Sequence, residues 1–229
     1  MPRWPRSSIG SAPRPTGFET ELAGPLELRF VLSGDTVDRL PASGAEVAVV
    51  GRSNVGKSSL VNALAHRKKL AHVSNTPGRT RLLNLFALID RSRGDEDGVG
   101  PDGVLVSSVM DLPGYGYAQA SKQLRAGWQT MIEDYLLERE ELVMVVVLVD
   151  GEIGPTKLDV QMLEWLRAND LPHSVVATKH DKVKSSKRDR RRKDLAAGCD
   201  LEPRDVVWVS AAKGTGIDRL RGLIRTWLA

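Results

Sequence analysis

The sequence contains a single cysteine, Cys199, in 229 residues. One thiol excludes an intrachain disulfide. With no His or Cys beside it at metal-ligand spacing, it is expected to pack as a small hydrophobe in a protein of the reducing cytosol. Long apolar runs are missing too: the longest, Leu142 to Val149, has eight residues, where a membrane-spanning helix needs about 20. That run reads as a buried strand, and no membrane partner is expected. The opening stretch MPRWPRSSIGSAPRPTGF lacks the apolar segment of a signal peptide, so export is not expected and the compartment reads as cytoplasmic. There is no internal repeat.

At 41% hydrophobic and 27% charged residues, the chain suits one globular domain with a full core. A net charge of +4 favours an acidic partner such as RNA, although an excess of this size also serves plain solubility. Its placement matters more than its total. Prolines at 2, 5, 13 and 15, with Arg3, Arg6 and Arg14, cannot build a core, so residues 1–23 are expected to form a disordered basic tail ahead of a folded domain over 24–229.

Within that domain, segments rich in β-branched residues alternate with amphipathic ones, which predicts an α/β fold with a mainly parallel, six-stranded sheet covered by helices on both faces. Strands are expected at Leu26–Leu32, Glu46–Val50, Leu82–Ile89, Val104–Met110, Leu142–Val149, Ser174–Thr178 and Val206–Val209, five of them central. Helices are expected at Lys57–Leu64, Lys122–Glu138, Thr156–Ala168, Ser185–Ala197 and Ile217–Leu228. The stretch Arg91–Gly103, with four glycines and four acidic residues, reads as an exposed loop.

GRSNVGKS, from Gly51 to Ser58, fits G-x-x-x-x-G-K-[ST] and lies between a strand and an apolar helix, where a phosphate-binding loop requires it. Gly51, Arg52, Ser53, Asn54, Val55 and Gly56 would turn around the phosphates, and Lys57, Ser58 and Ser59 would open a helix with its positive dipole end toward them. Lys57 would neutralise the outer phosphates and Ser58 would offer its hydroxyl to magnesium. Asp111, at the end of a second strand, would hold the ion's water shell. Taken alone Asp111 reads equally as a cap or turn residue, but it opens Asp111-Leu112-Pro113-Gly114, where Gly114 can present its N–H to a terminal phosphate.

Thr178, Lys179, His180 and Asp181 follow a later strand, at the end of the sheet where such folds bind ligands. An aspartate there accepts two hydrogen bonds from guanine's ring N–H and amino group, and adenine offers no such pair. Lys179 would lay its stem along the base, with Val209, Ser210 and Ala211 near the guanine carbonyl. The expected ligand is GTP or GDP.

GRSNVGKSSLVNAL, TPGRTRLLN, DLPGYGYA, TKHDK and VSAAKG together resemble the five nucleotide motifs of the EngB-type (YihA/YsxC) GTP-binding proteins, within the TrmE-Era-like GTPases. The resemblance covers about Leu28 to the C-terminus and implies a three-layer Ras-like domain with GTPase activity; a monomer is expected, and with Tyr115 in place of the usual glutamine after DxxG, slow intrinsic hydrolysis is expected. The resemblance also implies a role in assembling the large ribosomal subunit on its rRNA, and in normal cell division and septation. By that resemblance Thr80 ligates magnesium in the GTP state, while Gly78, Arg79, Thr80, Arg81 and Leu82 close over the phosphates. From sequence alone Thr80 reads equally as an exposed strand-entry residue. Arg91–Gly103 and the arginine-rich tail fall outside the motif pattern.

Ras-type enzymes orient the attacking water with a glutamine directly after DxxG, and here that position is Tyr115. Lys57, Thr80 and Asn54 are therefore the residues expected to carry hydrolysis. Asn54 has two readings: a ligand for potassium beside the phosphates, as in similar GTPases, or a loop residue whose side chain stabilises the turn. Tyr115 and Tyr117 read as stacking groups for a partner, or as packing beneath the segment that follows the phosphate sensor. Eight basic residues lie between Lys182 and Lys193, with Asp189 the only acid among them. They read as a solvated helix face or as a contact for rRNA phosphates.

If Asp181 reads the base, Asp181→Asn lowers GTP affinity by at least about tenfold while admitting xanthine nucleotides. Competition binding with GTP and XTP checks this, and unchanged guanine selectivity would put the base site elsewhere.

Overall fold

Along Leu142–Asp150 successive side chains enter two separate apolar cores, and this period-two alternation generates the layers. Val145, Val147 and Val149 face one core, and Met144, Val146 and Leu148 face the other. The computed structural model describes residues 24–71, 82–91, 94–116 and 122–229, without the side chains of residues 122–126 and 128. The tail expected over 1–23 lies outside the described residues.

In chain order the elements are β1 (Glu27–Gly34), β2 (Glu46–Gly51), α1 (Lys57–Leu64), β3 (Leu83–Ile89), β4 (Ser108–Asp111), α2 (Lys122–Glu138), β5 (Leu142–Asp150), α3 (Lys157–Ala168), β6 (His173–Thr178), α4 (Arg188–Gly198), β7 (Val207–Trp208) and α5 (Ile217–Trp227). They form one sheet in the order β1-β3-β4-β2-β5-β6-β7. Pairings from β4 through β7 are parallel, and β3 runs antiparallel to both β1 and β4. The first core is closed by Ile132, Tyr135 and Leu136 of α2, Leu163 and Leu166 of α3, and Leu195 and Ala196 of α4. The second is closed by Leu60, Val61 and Leu64 of α1 and by Ile217, Leu220 and Ile224 of α5. This three-layer arrangement is the expected one.

Several boundaries differ for physical reasons. All seven expected strands form and all join one sheet, which therefore has seven strands where a six-stranded sheet was expected; the last, β7, is shorter than expected and pairs with β6 through only two residues. The strand expected over Val104–Met110 begins only at Ser108, because Leu105 is taken up by bridges to Ser43 and Val99. The first turn expected of α4 is a separate 3-10 turn, Ser185–Lys187. The described residues of Arg91–Gly103 form a loop that is mostly exposed, as expected; within it Asp95 accepts hydrogen bonds from the backbone N–H of Gly98 at 2.6 Å and Asp97 at 3.2 Å, and Val99 pairs with Leu105.

The end of the sheet away from the motifs is fixed by Glu46, fully buried at the start of β2. Its Oε1 accepts from the Tyr135 hydroxyl at 2.5 Å and from Arg139 Nε at 3.0 Å, and its Oε2 from Ser108 Oγ at 2.6 Å. Arg139 also donates to the Pro41 carbonyl at 2.7 Å. A buried charge so completely paired is costly to break from one side. Arg139→Met should destabilise the fold by about 3–5 kcal/mol. Urea unfolding measures this, and a change within experimental error would show that Glu46 does not depend on its cation.

Candidate phosphate and base site

The loop after β2 owes its shape to two residues with positive φ, Asn54 at 66° and Gly56 at 107°. Only glycine adopts the second without strain. Among the described residues the backbone N–H groups of Asn54, Gly56, Lys57 and Ser58, at a helix N-terminus, have no partner. Val55 turns its side chain into the core beneath α1.

Lys57 is buried and its Nζ donates to the carbonyls of Gly51, at 3.1 Å, and Arg52, at 3.4 Å. Burial holds its ammonium below the ordinary lysine range, and nearby Asp111 opposes that shift. Asp111 closes β4, in register with Val49 of β2. Its Oδ1 is buried without a hydrogen-bond partner, and burial pushes its pKa up to about 6 against the pull of Lys57. The Ser58 hydroxyl likewise makes no hydrogen bond among the described residues. A carboxylate oxygen and a hydroxyl left free beside a nest of N–H donors can accept a hard cation that accompanies an anion. Leu112 is core, and Gly114 lies so close to the loop that a Cβ on it would stand 2.9 Å from Lys57 Nζ and 3.0 Å from Ser53 N.

The TKHD segment meets the phosphate loop through Thr178, whose Oγ1 donates to Val55 O at 2.7 Å and to Val149 O at 3.3 Å. Lys179 takes a left-handed φ of 55° and pairs its Nζ with Asp150 Oδ2 at 2.6 Å. Asp181 is half-buried, and its Oδ1 accepts from Ser210 Oγ at 2.6 Å. That bond holds its carboxyl below the usual range. Ser210 is in turn fixed by the Lys213 N–H at 3.1 Å. The His180 side chain meets Trp208 edge to face at 5.5 Å and serves the core, as does Val209.

The structure thus gathers Gly51 to Ser59, Asp111 to Gly114, Thr178 to Asp181 and Val209 to Ala211 around the ends of β2, β4, β6 and β7. Leu82 stands exposed before β3, and Gly78, Arg79, Thr80, Arg81 and Tyr117 lie outside the described residues. Sequence reasoning missed Asp150, although an acid ending a buried strand is the signal that singled out Asp111. It also missed Asp159, which accepts from Tyr115 OH at 2.9 Å and from Arg52 Nε at 3.0 Å. Its one local sign is the capping box it forms with Thr156 at the start of α3.

The chain matches the 50S ribosome-binding GTPase family over residues 46–179, more than half its length. It is 43% identical over 201 residues to a probable GTP-binding protein EngB of Pelotomaculum thermopropionicum, covering 87% of this chain and 94% of that one. A probable GTP-binding protein EngB of Myxococcus xanthus is 44% identical over 200 residues, covering 87% and 93%. In fold it resembles the crystal structure of a probable GTP-binding protein EngB, with a TM-score of 0.61 at 24% identity over 80% of this chain and 98% of that one. It also resembles Aquifex aeolicus Era bound to GDP and AlF4-, with a TM-score of 0.59 at 24% identity over 82% and 57%.

Asp111 carries a stability prediction. Its pKa is about 6 against an ordinary 3.8, so the folded chain keeps a proton that the unfolded chain releases in between. Stability is therefore highest below the lower value and falls as pH rises through the higher one, leaving the ionised group a cost of about 3 kcal/mol at neutral pH. Without ligand, Asp111→Asn should be more stable than wild type at pH 7 by about that amount, with the gap closing in acid. Urea unfolding across pH checks this; equal stability at both ends would mean that burial does not strain the carboxylate.

Proposed function

The chain belongs to the EngB family of GTP-binding proteins, a family of GTPases, and on that footing we propose that it is a magnesium-dependent GTP switch that docks on the precursor of the large ribosomal subunit. The observation that carries the nucleotide part is the nest of free N–H donors beside Lys57, at the same sheet edge as the unpartnered Asp111 oxygen. The loop from Gly51 to Ser59 binds the phosphates. Asp111 and Ser58 hold magnesium, joined by Thr80 in the triphosphate state, and the ion neutralises charge on the outer phosphates. Gly78, Arg79, Arg81 and Leu82 close over them, and Gly114 senses the terminal one. Asp181 reads the guanine edge while Lys179, held by Asp150, lies along the ring.

For hydrolysis, Tyr115 cannot replace a water-orienting glutamine while its hydroxyl is committed to Asp159. Asn54 is exposed, and its side chain makes no hydrogen bond among the described residues, so its amide is not spent on stabilising the turn. That supports the potassium reading, in which the ion stabilises charge on the transferring phosphoryl group. Docking on rRNA is supported by α4, which buries only Leu195 and Ala196 and leaves Lys187, Arg190, Arg192 and Lys193 exposed around its first turns. The contribution to cell division and septation rests on the family resemblance alone, with the protein acting in the cytoplasm as a monomer.

Single-turnover GTP hydrolysis, in potassium or sodium and with or without large ribosomal subunits, tests this reading. Rates should rise at least about tenfold in potassium, with Asn54→Ala abolishing the rise. Subunits should accelerate hydrolysis further, and charge reversal at Arg190, Arg191 and Arg192 should remove that acceleration. Equal rates in both salts would dismiss potassium, and indifference to subunits would dismiss the ribosomal role.

A further inference from the structure

The residue after Gly114 is tied down more firmly than a phosphate sensor requires. The Tyr115 carbonyl accepts the N–H of Ser53 at 3.0 Å, and its own N–H donates to the Gly51 carbonyl at 3.3 Å, so the segment lies along the phosphate loop as a short bridge opposite Arg52. Its hydroxyl donates to Asp159 Oδ1 at 2.9 Å. Burial and the Asp159 charge raise the phenol far above its ordinary pKa, so it remains a donor.

Asp159 is itself immobilised. Fully buried in the first turn of α3, it accepts through Oδ2 from Arg52 Nε at 3.0 Å, Thr156 N at 2.8 Å and Thr156 Oγ1 at 2.7 Å. One carboxylate thus joins α3, the phosphate loop and the segment that must receive a terminal phosphate.

We propose that Asp159 is a positioning residue that latches Tyr115 over the phosphate loop and so sets the preference between nucleoside diphosphate and triphosphate. The proposal rests on the phosphate-site assignment given above. A terminal phosphate has to fit between the Lys57 ammonium and the Gly114 N–H. In the latched form Gly114 and Lys57 stand close together: a Cβ on Gly114 would be 2.9 Å from Lys57 Nζ, and Lys57 itself is turned onto the Gly51 and Arg52 carbonyls. Both ligands must recruit Lys57, but only the triphosphate must also lift Gly114 and Tyr115. The cost of breaking the Tyr115–Asp159 bond therefore falls on the triphosphate alone.

The test is the ratio of affinities for GDP and a non-hydrolysable GTP analogue, measured by calorimetry in magnesium for wild type, Tyr115→Phe and Asp159→Asn. Both variants should bind the analogue about fivefold to tenfold more tightly, with GDP affinity within about twofold of wild type. Asp159→Asn also weakens the cap of α3, so Tyr115→Phe, which removes a single hydroxyl, decides the matter if that variant is unstable. An unchanged ratio in Tyr115→Phe overturns the latch. Lys57→Ala separates the two levels: if it loses both nucleotides while the ratio in Tyr115→Phe stays fixed, the phosphate site stands and the latch does not. If it retains both, the phosphate-site assignment fails and takes the latch with it.

Discussion

The register of β2 is the constraint on which the rest depends. All six of its residues are buried between β4 and β5, so the strand cannot slide without exposing one core or the other. In that register Val49 lies opposite Asp111, Gly51 opposite Leu148, and, one strand further out, Asp150 opposite Thr178. Parallel strands end at a common level, and the chain leaves them by loops on one edge. The phosphate loop, the buried Asp111 and the Thr178–Asp181 segment therefore converge without any of them being close in sequence.

The two ends of this strand handle buried charge in opposite ways. At its start Glu46 is matched by Arg139, Tyr135 and Ser108, and the result is a rigid anchor for α2. Near its other end Asp111 and Lys57 perturb one another, yet Asp111 Oδ1 has no hydrogen bond and Lys57 leans on carbonyls of its own loop. A fully satisfied pair would be more stable and would bind nothing. The residual strain at this edge is what a bound anion and cation can relieve.

Much of this was legible in the sequence because it depends on local pattern. The unbroken apolar run Leu142 to Val149 is a local property that marks a buried strand, and α1 and α2 run over the expected residues. Thr156 was assigned to α3 but caps it, a difference of one residue set by its hydrogen bonds with Asp159. Val104 to Ser107 read as strand because the residues suit one; that Leu105 would pair with Ser43 instead is a long-range choice. The site divides the same way. Motif spacing singled out Lys57, Asp111 and Asp181 as candidates, whereas the contacts that hold these loops together, Thr178 to Val55 across 123 residues and Tyr115 to Asp159 across 44, have no sequence signature.

The hydroxyl of Thr178 on the Val55 carbonyl has a consequence for how a ligand is measured. A nucleotide offers two separate handles, a flat base and a charged chain, joined by a sugar of nearly fixed span. On the assignment proposed above, one hydrogen bond fastens the loop for the first handle to the loop for the second, so the distance between the two grips would be set by the protein before anything arrives. Once one handle is held, the other is presented at a high effective concentration, provided that the span matches. On that assignment the threonine would act as a gauge of length: a molecule with the right ends at the wrong separation would gain only one of the two grips.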